Sequence, residues 1–267
     1  MNLTPSEDLL AGRRALDALA GSVAIIQDWT WCSEFGRWTL ACQICSSQGH
    51  SSNWYILAEA SYPFGEIDFY PAEIGGIGQT YPHQNHNGWP EAGFLWRKGK
   101  ICLDSSVSSL GRIGGEREPF NSHERLIWYC QRAIAWITAA EGGTLTKPGD
   151  PFELPHFPHR ETSLVAFSET PQNLPLWQEL TCRAGICELS KVKQNPRILV
   201  VQKFLADDGS KIYESHWGSC LKTLGDQVRA RVWGLWLRLH KVPVLPPWEA
   251  PTKWEQLREI AESQGFD

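Results

Sequence analysis

Three strand-length segments, Val23 to Trp31, Arg37 to Cys45 and Trp54 to Ala60, follow one another with only Gly- and Ser-containing turns between them. Each is rich in aromatic and β-branched residues, which suit a pleated, half-buried surface. The first part of the chain is therefore committed to a sheet. Ahead of it, Thr4-Pro5-Ser6-Glu7 supplies an N-cap, a proline for the first helical turn and a Glu three residues after the cap. That pattern predicts a helix from there to near Gly21, with Leu9, Leu10, Leu16 and Leu19 on its apolar stripe.

After the third strand, Glu66 to Tyr70 alternates as another strand would. Between Gly75 and Gly93 the chain is rich in Gly, Pro, Asn and His, too irregular for a regular element, and it leads directly to Cys102. Function tends to sit on such loops. Ser105 to Gly115 is a further loop. Asn121 or Ser122 then caps a helix in which Leu126, Ile127, Cys130, Ile134 and Ile137 recur at three and four, and Gly142-Gly143 ends it.

Lys147 to Pro158 holds four prolines and reads as a connector, so the expected organisation is one domain over residues 1–147 and a smaller α/β domain over 148–267. In the second part, Leu164 to Phe167 and Arg197 to Leu205 read as strands. Leu221 to His240 reads as a helix with Val228, Val232, Leu235, Trp236 and Leu239 on one side. Thr252-x-x-Glu255 caps a final short helix. The sequence contains no internal repeat.

With 267 residues, 42% of them hydrophobic, the chain can bury a sizeable core. Its net charge of -5 and lack of a Lys/Arg block point to a protein partner rather than nucleic acid or an anionic membrane. No apolar run is long enough to cross a bilayer, and Met1 to Leu10 lacks the pattern of a secretory signal, so a cytoplasmic location is expected. The eight cysteines, irregularly spaced and set in apolar runs, read as thiols of a reduced compartment.

One ordered set of motifs is more specific. Tyr62-Pro63-Phe64 precedes the Glu66 to Tyr70 run; Tyr81-Pro82-His83-Gln84-Asn85 follows, and then Gly99-Lys100-Ile101-Cys102-Leu103-Asp104. This order resembles the core of a ubiquitin-conjugating enzyme (UBC fold), with a Tyr-Pro-Phe start to a strand, a His-Pro-Asn-like turn and a Gly-x-Ile-Cys-Leu segment. It is most similar to bacterial members found in CBASS anti-phage and related ubiquitin-like operons, and it covers residues 1–147. The resemblance implies an α+β fold: an N-terminal helix, a four-stranded antiparallel meander, the Cys102 loop and a flanking helix over Ser122 to Ala140. It also makes Cys102 the thioester nucleophile.

In that family the asparagine of the turn donates its amide to the turn itself or to the oxyanion that forms when lysine attacks, and the matching residue is Asn85. Gln84 stands where the family has proline, and Asn85 lies farther from Cys102 than is usual, so His86 and Asn87 are alternative donors. His83 either pins the loop through a backbone bond or takes part in the chemistry. Asp104 is placed to orient or deprotonate an acceptor lysine. The incoming acyl group is already a thioester, so the cysteine needs exposure and an oxyanion donor more than a dedicated base.

The resemblance further implies three partners: a ubiquitin-like protein or similar C-terminus, an adenylating activating enzyme and a target protein. The chain shows no strand leading through Gly-x-Gly-x-x-Gly into a helix, and Gly75-Gly76-Ile77-Gly78 lies in the wrong context, so activation is assigned elsewhere. No cofactor and no metal are expected. Cys42-x-x-Cys45 has a zinc-ligand spacing, but residues three apart on a strand point to opposite faces. Residues 150–155, Asp-Pro-Phe-Glu-Leu-Pro, look like the linker region of the bacterial fusions. Two other readings use the same residues: a catalytically silent binding module, and a Cys-His or zinc hydrolase built on His83, His86 and Cys102.

Overall fold

A computed structural model describes residues 3–103, 118–146, 155–156, 164–192, 195, 197–217 and 228–266. The chain divides into two compact units, one of residues 1–156 with Val244–Pro251, the other of Phe157–Pro243 with Thr252–Asp267.

The first unit opens with α1 (Glu7–Ala15), continued by a 3-10 turn over Leu16–Leu19. The cap is Ser6 rather than Thr4: its hydroxyl accepts the Leu9 N–H at 3.2 Å. Glu7 and Asp8 in the first turn and Arg13 and Arg14 in the last complement the helix dipole. The α-helix therefore ends earlier than the expected stop near Gly21. The strands β1 (Val23–Cys32), β2 (Arg37–Cys45), β3 (Ser51–Glu59) and β4 (Ile67–Pro71) form an antiparallel meander in sequence order.

One face of this sheet is covered by α2 (Arg125–Glu141), whose buried Leu126, Cys130, Ala133, Trp136 and Ile137 recur at helical spacing. Trp136 meets Trp54 of β3 edge to face, at 6.3 Å between ring centres. Burying side chains of this size contributes on the order of 2–3 kcal/mol each. The helix starts three residues later than the expected Ser122. Asn121 caps the turn before it, accepting the Glu124 N–H at 2.9 Å. Its end is a Schellman motif: Gly143 has φ +63, and Thr144 N–H reaches the Ala139 carbonyl at 2.8 Å.

The outer edge of β4 is extended by irregular chain. Arg97 N–H bonds the Pro71 carbonyl at 2.8 Å and Ile101 N–H bonds that of Phe69 at 3.1 Å, which brings the Cys102 segment alongside the sheet.

The second unit is a sheet in the order β5 (Leu164–Ala166), β7 (Ile198–Ala206), β6 (Ala184–Val192), β9 (Val228–Leu237), with β8 (Lys211–Glu214) also on β7. Only β5 and β7 run parallel. Two short helices, α3 (Leu174–Glu179) and α4 (Trp254–Glu262), complete it. The start of α4 is capped by Gln256, whose side-chain oxygen accepts the N–H groups of Thr252 and Lys253.

The helix expected over Leu221 to His240 is, from Val228 to Leu237, a strand. Val232 and Trp236 pack on the core of Cys187, Leu189, Val201 and Phe204, while Trp233 and Leu235 face outward, 59% and 77% exposed. From Val232 to Leu237 apolar residues stand on both faces of β9, so its period of two is disguised there and an i, i+4 series emerges by coincidence. Gly234 sits opposite Cys187, where an added Cβ would lie 3.0 Å from the Cys187 sulfur and 2.9 Å from Leu189. The strand β6, between β7 and β9, is an element the sequence reading does not predict.

Candidate active site

Cys102 is carried by a segment with strand-like alternation. Ile101 and Leu103 are 3% and 6% exposed and belong to the core of the first unit, so the residue between them is turned outward. Cys102 is the exposed cysteine among the described residues. Cys42 and Cys130 lie fully buried in the same core. Burial lifts the Cys42 thiol to about 12 and the Cys130 thiol well above its ordinary value, which keeps both in the unreactive protonated form.

The preceding loop is sewn to this segment by backbone bonds. Cys102 N–H donates to the His83 carbonyl at 2.8 Å, and Asn85 N–H donates to that of Lys100 at 2.9 Å. Between them Gln84 faces Ile101 in an antiparallel bridge. The Gln84 side chain is buried and used at both ends, accepting from Tyr81 N–H at 3.0 Å and donating to the Gly99 carbonyl at 3.0 Å. Gly99 is required there, since a Cβ would lie 2.6 Å from Gln84 Nε2 and 2.5 Å from Asn87 Oδ1. His83 adopts φ +58, the left-handed conformation that aims its carbonyl at Cys102.

Cys102, Asn85 and His83 line an open cleft of ≈ 720 Å³ whose other walls include Asp68, Lys100 and Tyr129. Asn85 is exposed, and its side-chain amide makes no hydrogen bond to the described residues. His86 is not among the cleft-lining residues; its ring stacks on His156 with centres 4.8 Å apart. Burial, and then the neighbouring His156, lower its proton affinity, against a smaller opposing pull from Glu249. Asp104 lies outside the described residues.

Asn87 is committed to structure. Its amide donates to the carbonyls of Ile77 and Gln79 at 2.8 and 2.9 Å, and its oxygen accepts from Arg97 Nε at 3.2 Å. A side chain this fully used has no donor left for an oxyanion, so Asn87 drops out as an alternative to Asn85. Among the described residues no three His, Cys, Asp or Glu side chains converge as metal ligands, and the set His83, His86 and Cys102 is not brought together.

The charged walls of the cleft carry no local sequence signal. Lys100 pairs with Asp68 at 3.2 Å, and Arg37 reaches Asp68 at 2.5 Å and Glu66 at 2.8 Å. Burial works against the Lys100 charge, but Asp68 outweighs it and raises the ammonium above its ordinary value. On the other wall Arg125 is paired with Glu118, which also accepts from the Tyr129 hydroxyl at 2.9 Å. Burial, then Glu118, pushes Tyr129 up to about 12. These pairs join residues far apart in the chain, so alternation or turn chemistry could not have revealed them.

Among the described residues no helix is long and apolar enough to cross a membrane. Residues 143–267 match the family model described as the Cap2 central linker domain. Over 235 residues the chain is 29% identical to the ATP-dependent ubiquitin transferase-like protein Cap2 of Enterobacter hormaechei subsp. hoffmannii (strain UCI 50). The alignment covers 88% of this chain and 38% of that protein, so the chain spans well under half the length of the relative it matches. The four-stranded meander with its outward cysteine is thus joined, in one chain, to a region similar to a linker of a ubiquitin transferase-like protein.

Proposed function

We propose that the first unit is a ubiquitin-conjugating-type acyltransferase that takes a ubiquitin-like protein as a thioester on Cys102 and passes it to an amine of a target. The observation that carries the reading is the placement of Cys102. It is turned to solvent between two buried neighbours, at the edge of a cleft it shares with the uncommitted amide of Asn85. Similarity to a protein named as an ATP-dependent ubiquitin transferase-like protein supports the same chemistry.

In the charging step the Cys102 sulfur attacks the carbonyl carbon of the incoming thioester. A new carbon–sulfur bond forms, the donor's carbon–sulfur bond breaks, and the proton of the Cys102 thiol ends on the departing thiol. In transfer, an amine nitrogen attacks the same carbon and the oxyanion is met by the Asn85 amide. Collapse forms the amide and releases Cys102 as a thiol carrying a proton given up by the amine. His83 holds the geometry through its carbonyl, and Asp104 is assigned to the acceptor amine.

Adenylation belongs to a partner or to a further part of a longer protein. Residues 1–147 are assigned the conjugating chemistry and 148–267 the linking and docking role, with Val244–Pro251 returning to the first unit. The setting we assign is bacterial anti-phage defence, in the cytoplasm. Incubation with a competent activating enzyme, ATP and the ubiquitin-like protein should give an adduct that a thiol reductant removes. Absence of that adduct with a set shown to charge another acceptor would overturn the reading.

A further inference from the structure

We propose that Glu249 is a positioning residue for the Cys102 site, bracing through Thr80 the loop that carries His83 and Asn85. The kinetic part of this inference rests on the conjugating reading above. Thr80 is 2% exposed, and its N–H donates to Glu249 Oε1 at 2.8 Å, across 169 positions of sequence. A buried N–H in a loop needs an acceptor, and here a carboxylate supplies a charge-assisted one.

The support under that carboxylate is itself closed. Leu245 N–H bonds the Glu249 carbonyl at 2.7 Å and Glu249 N–H bonds that of Leu245 at 2.9 Å, around a turn in which Pro246 and Pro247 restrict φ. From Thr80 the connection runs on toward the cysteine. Thr80 Oγ1 accepts the Asn87 N–H at 3.1 Å, while Asn85 N–H and Cys102 N–H are tied across the loop to Lys100 and His83. The brace comes from within the stretch that matches the linker family, yet it belongs to the first unit. The linker-like region therefore contributes a residue that orders the catalytic loop, beyond any role in connecting or docking.

The test uses the full chain with Glu249→Ala and Glu249→Gln, read by amide hydrogen exchange and by single-turnover transfer from Cys102 to an amine. In Glu249→Ala the Thr80 and Asn87 amides should exchange about tenfold faster or more, with Ile56 and Leu57 in the sheet unchanged, and transfer should slow about tenfold. Glu249→Gln keeps an oxygen acceptor and should stay within about twofold of the parent. Thr80→Val provides a second probe: it keeps the bond to Glu249 but cuts the onward link, so the Asn87 amide should loosen while that of Thr80 stays protected. Unchanged Thr80 exchange in Glu249→Ala, or a Gln variant as impaired as the Ala variant, would overturn the brace. A parent chain that forms no thioester, with Thr80 still loosened by Glu249→Ala, would remove the conjugating reading and leave the brace standing.

Discussion

The Cys102 amide donates to the carbonyl of His83 at 2.8 Å, so the proposed nucleophile and the loop that presents Asn85 are one mechanical piece. Disturbing either strand of this tie displaces the sulfur relative to the Asn85 amide, and misplacement on the scale of 1 Å costs about a hundredfold in rate in well-oriented sites.

The cysteine itself is the first test. Cys102→Ala should abolish the adduct, and Cys102→Ser should convert it to an oxyester that survives reductant, both read by mass spectrometry. Iodoacetamide should label Cys102 ahead of Cys42 and Cys130, whose thiols are buried and pushed up in pKa. A Cys102→Ala protein that folds and conjugates at the parent rate would end the proposal.

Asn85 and Asn87 should behave oppositely although they are two residues apart. Asn85→Ala should leave charging intact and slow transfer by about a hundred- to a thousandfold, the scale set by loss of one oxyanion donor. Its melting temperature should not move. Loss of charging in the same variant would show that Asn85 is structural.

Asn87→Ala should act on stability instead. It strips buried Arg97 of a side-chain acceptor and frees the Ile77 and Gln79 carbonyls, a loss of about 2–3 kcal/mol in urea unfolding. An unchanged unfolding midpoint would contradict the locked loop.

Alkali should weaken the fold. Tyr62 and Tyr129 move from an ordinary 10.0 to about 12, chiefly by burial, and Cys42 from 9.0 to about 12 for the same reason. The native chain then keeps protons that the unfolded chain releases. The stabilisation is fully present below the unfolded values and is lost as pH rises through the folded ones. Urea midpoints should fall between about pH 9 and pH 12. Tyr62→Phe, which also gives up the bond from its hydroxyl to the Ser122 carbonyl at 2.7 Å, should show a shallower fall.

What the sequence determined by itself was local. The meander was legible because β1, β2 and β3 satisfy the same short-range rules everywhere: aromatic and β-branched residues on strands, Gly and Ser at the turns. The end of α2 was legible because Gly143 provides the left-handed residue a Schellman motif needs. The stretch from Ile101 to Leu103 could be read as a motif, but its meaning depended on which neighbours the core would absorb. Tertiary structure decided that by burying Ile101 and Leu103 and leaving Cys102 outside. It also decided that Asn87 is consumed by Arg97, that His86 turns to His156, and that Val228–Leu237 pairs with β6 instead of coiling. The Glu249–Thr80 bond is the extreme case, since a contact across 169 residues leaves no trace in any local window. Periodicity and capping report the chain within a turn or two, whereas the partners of buried polar groups are chosen only once distant segments have packed.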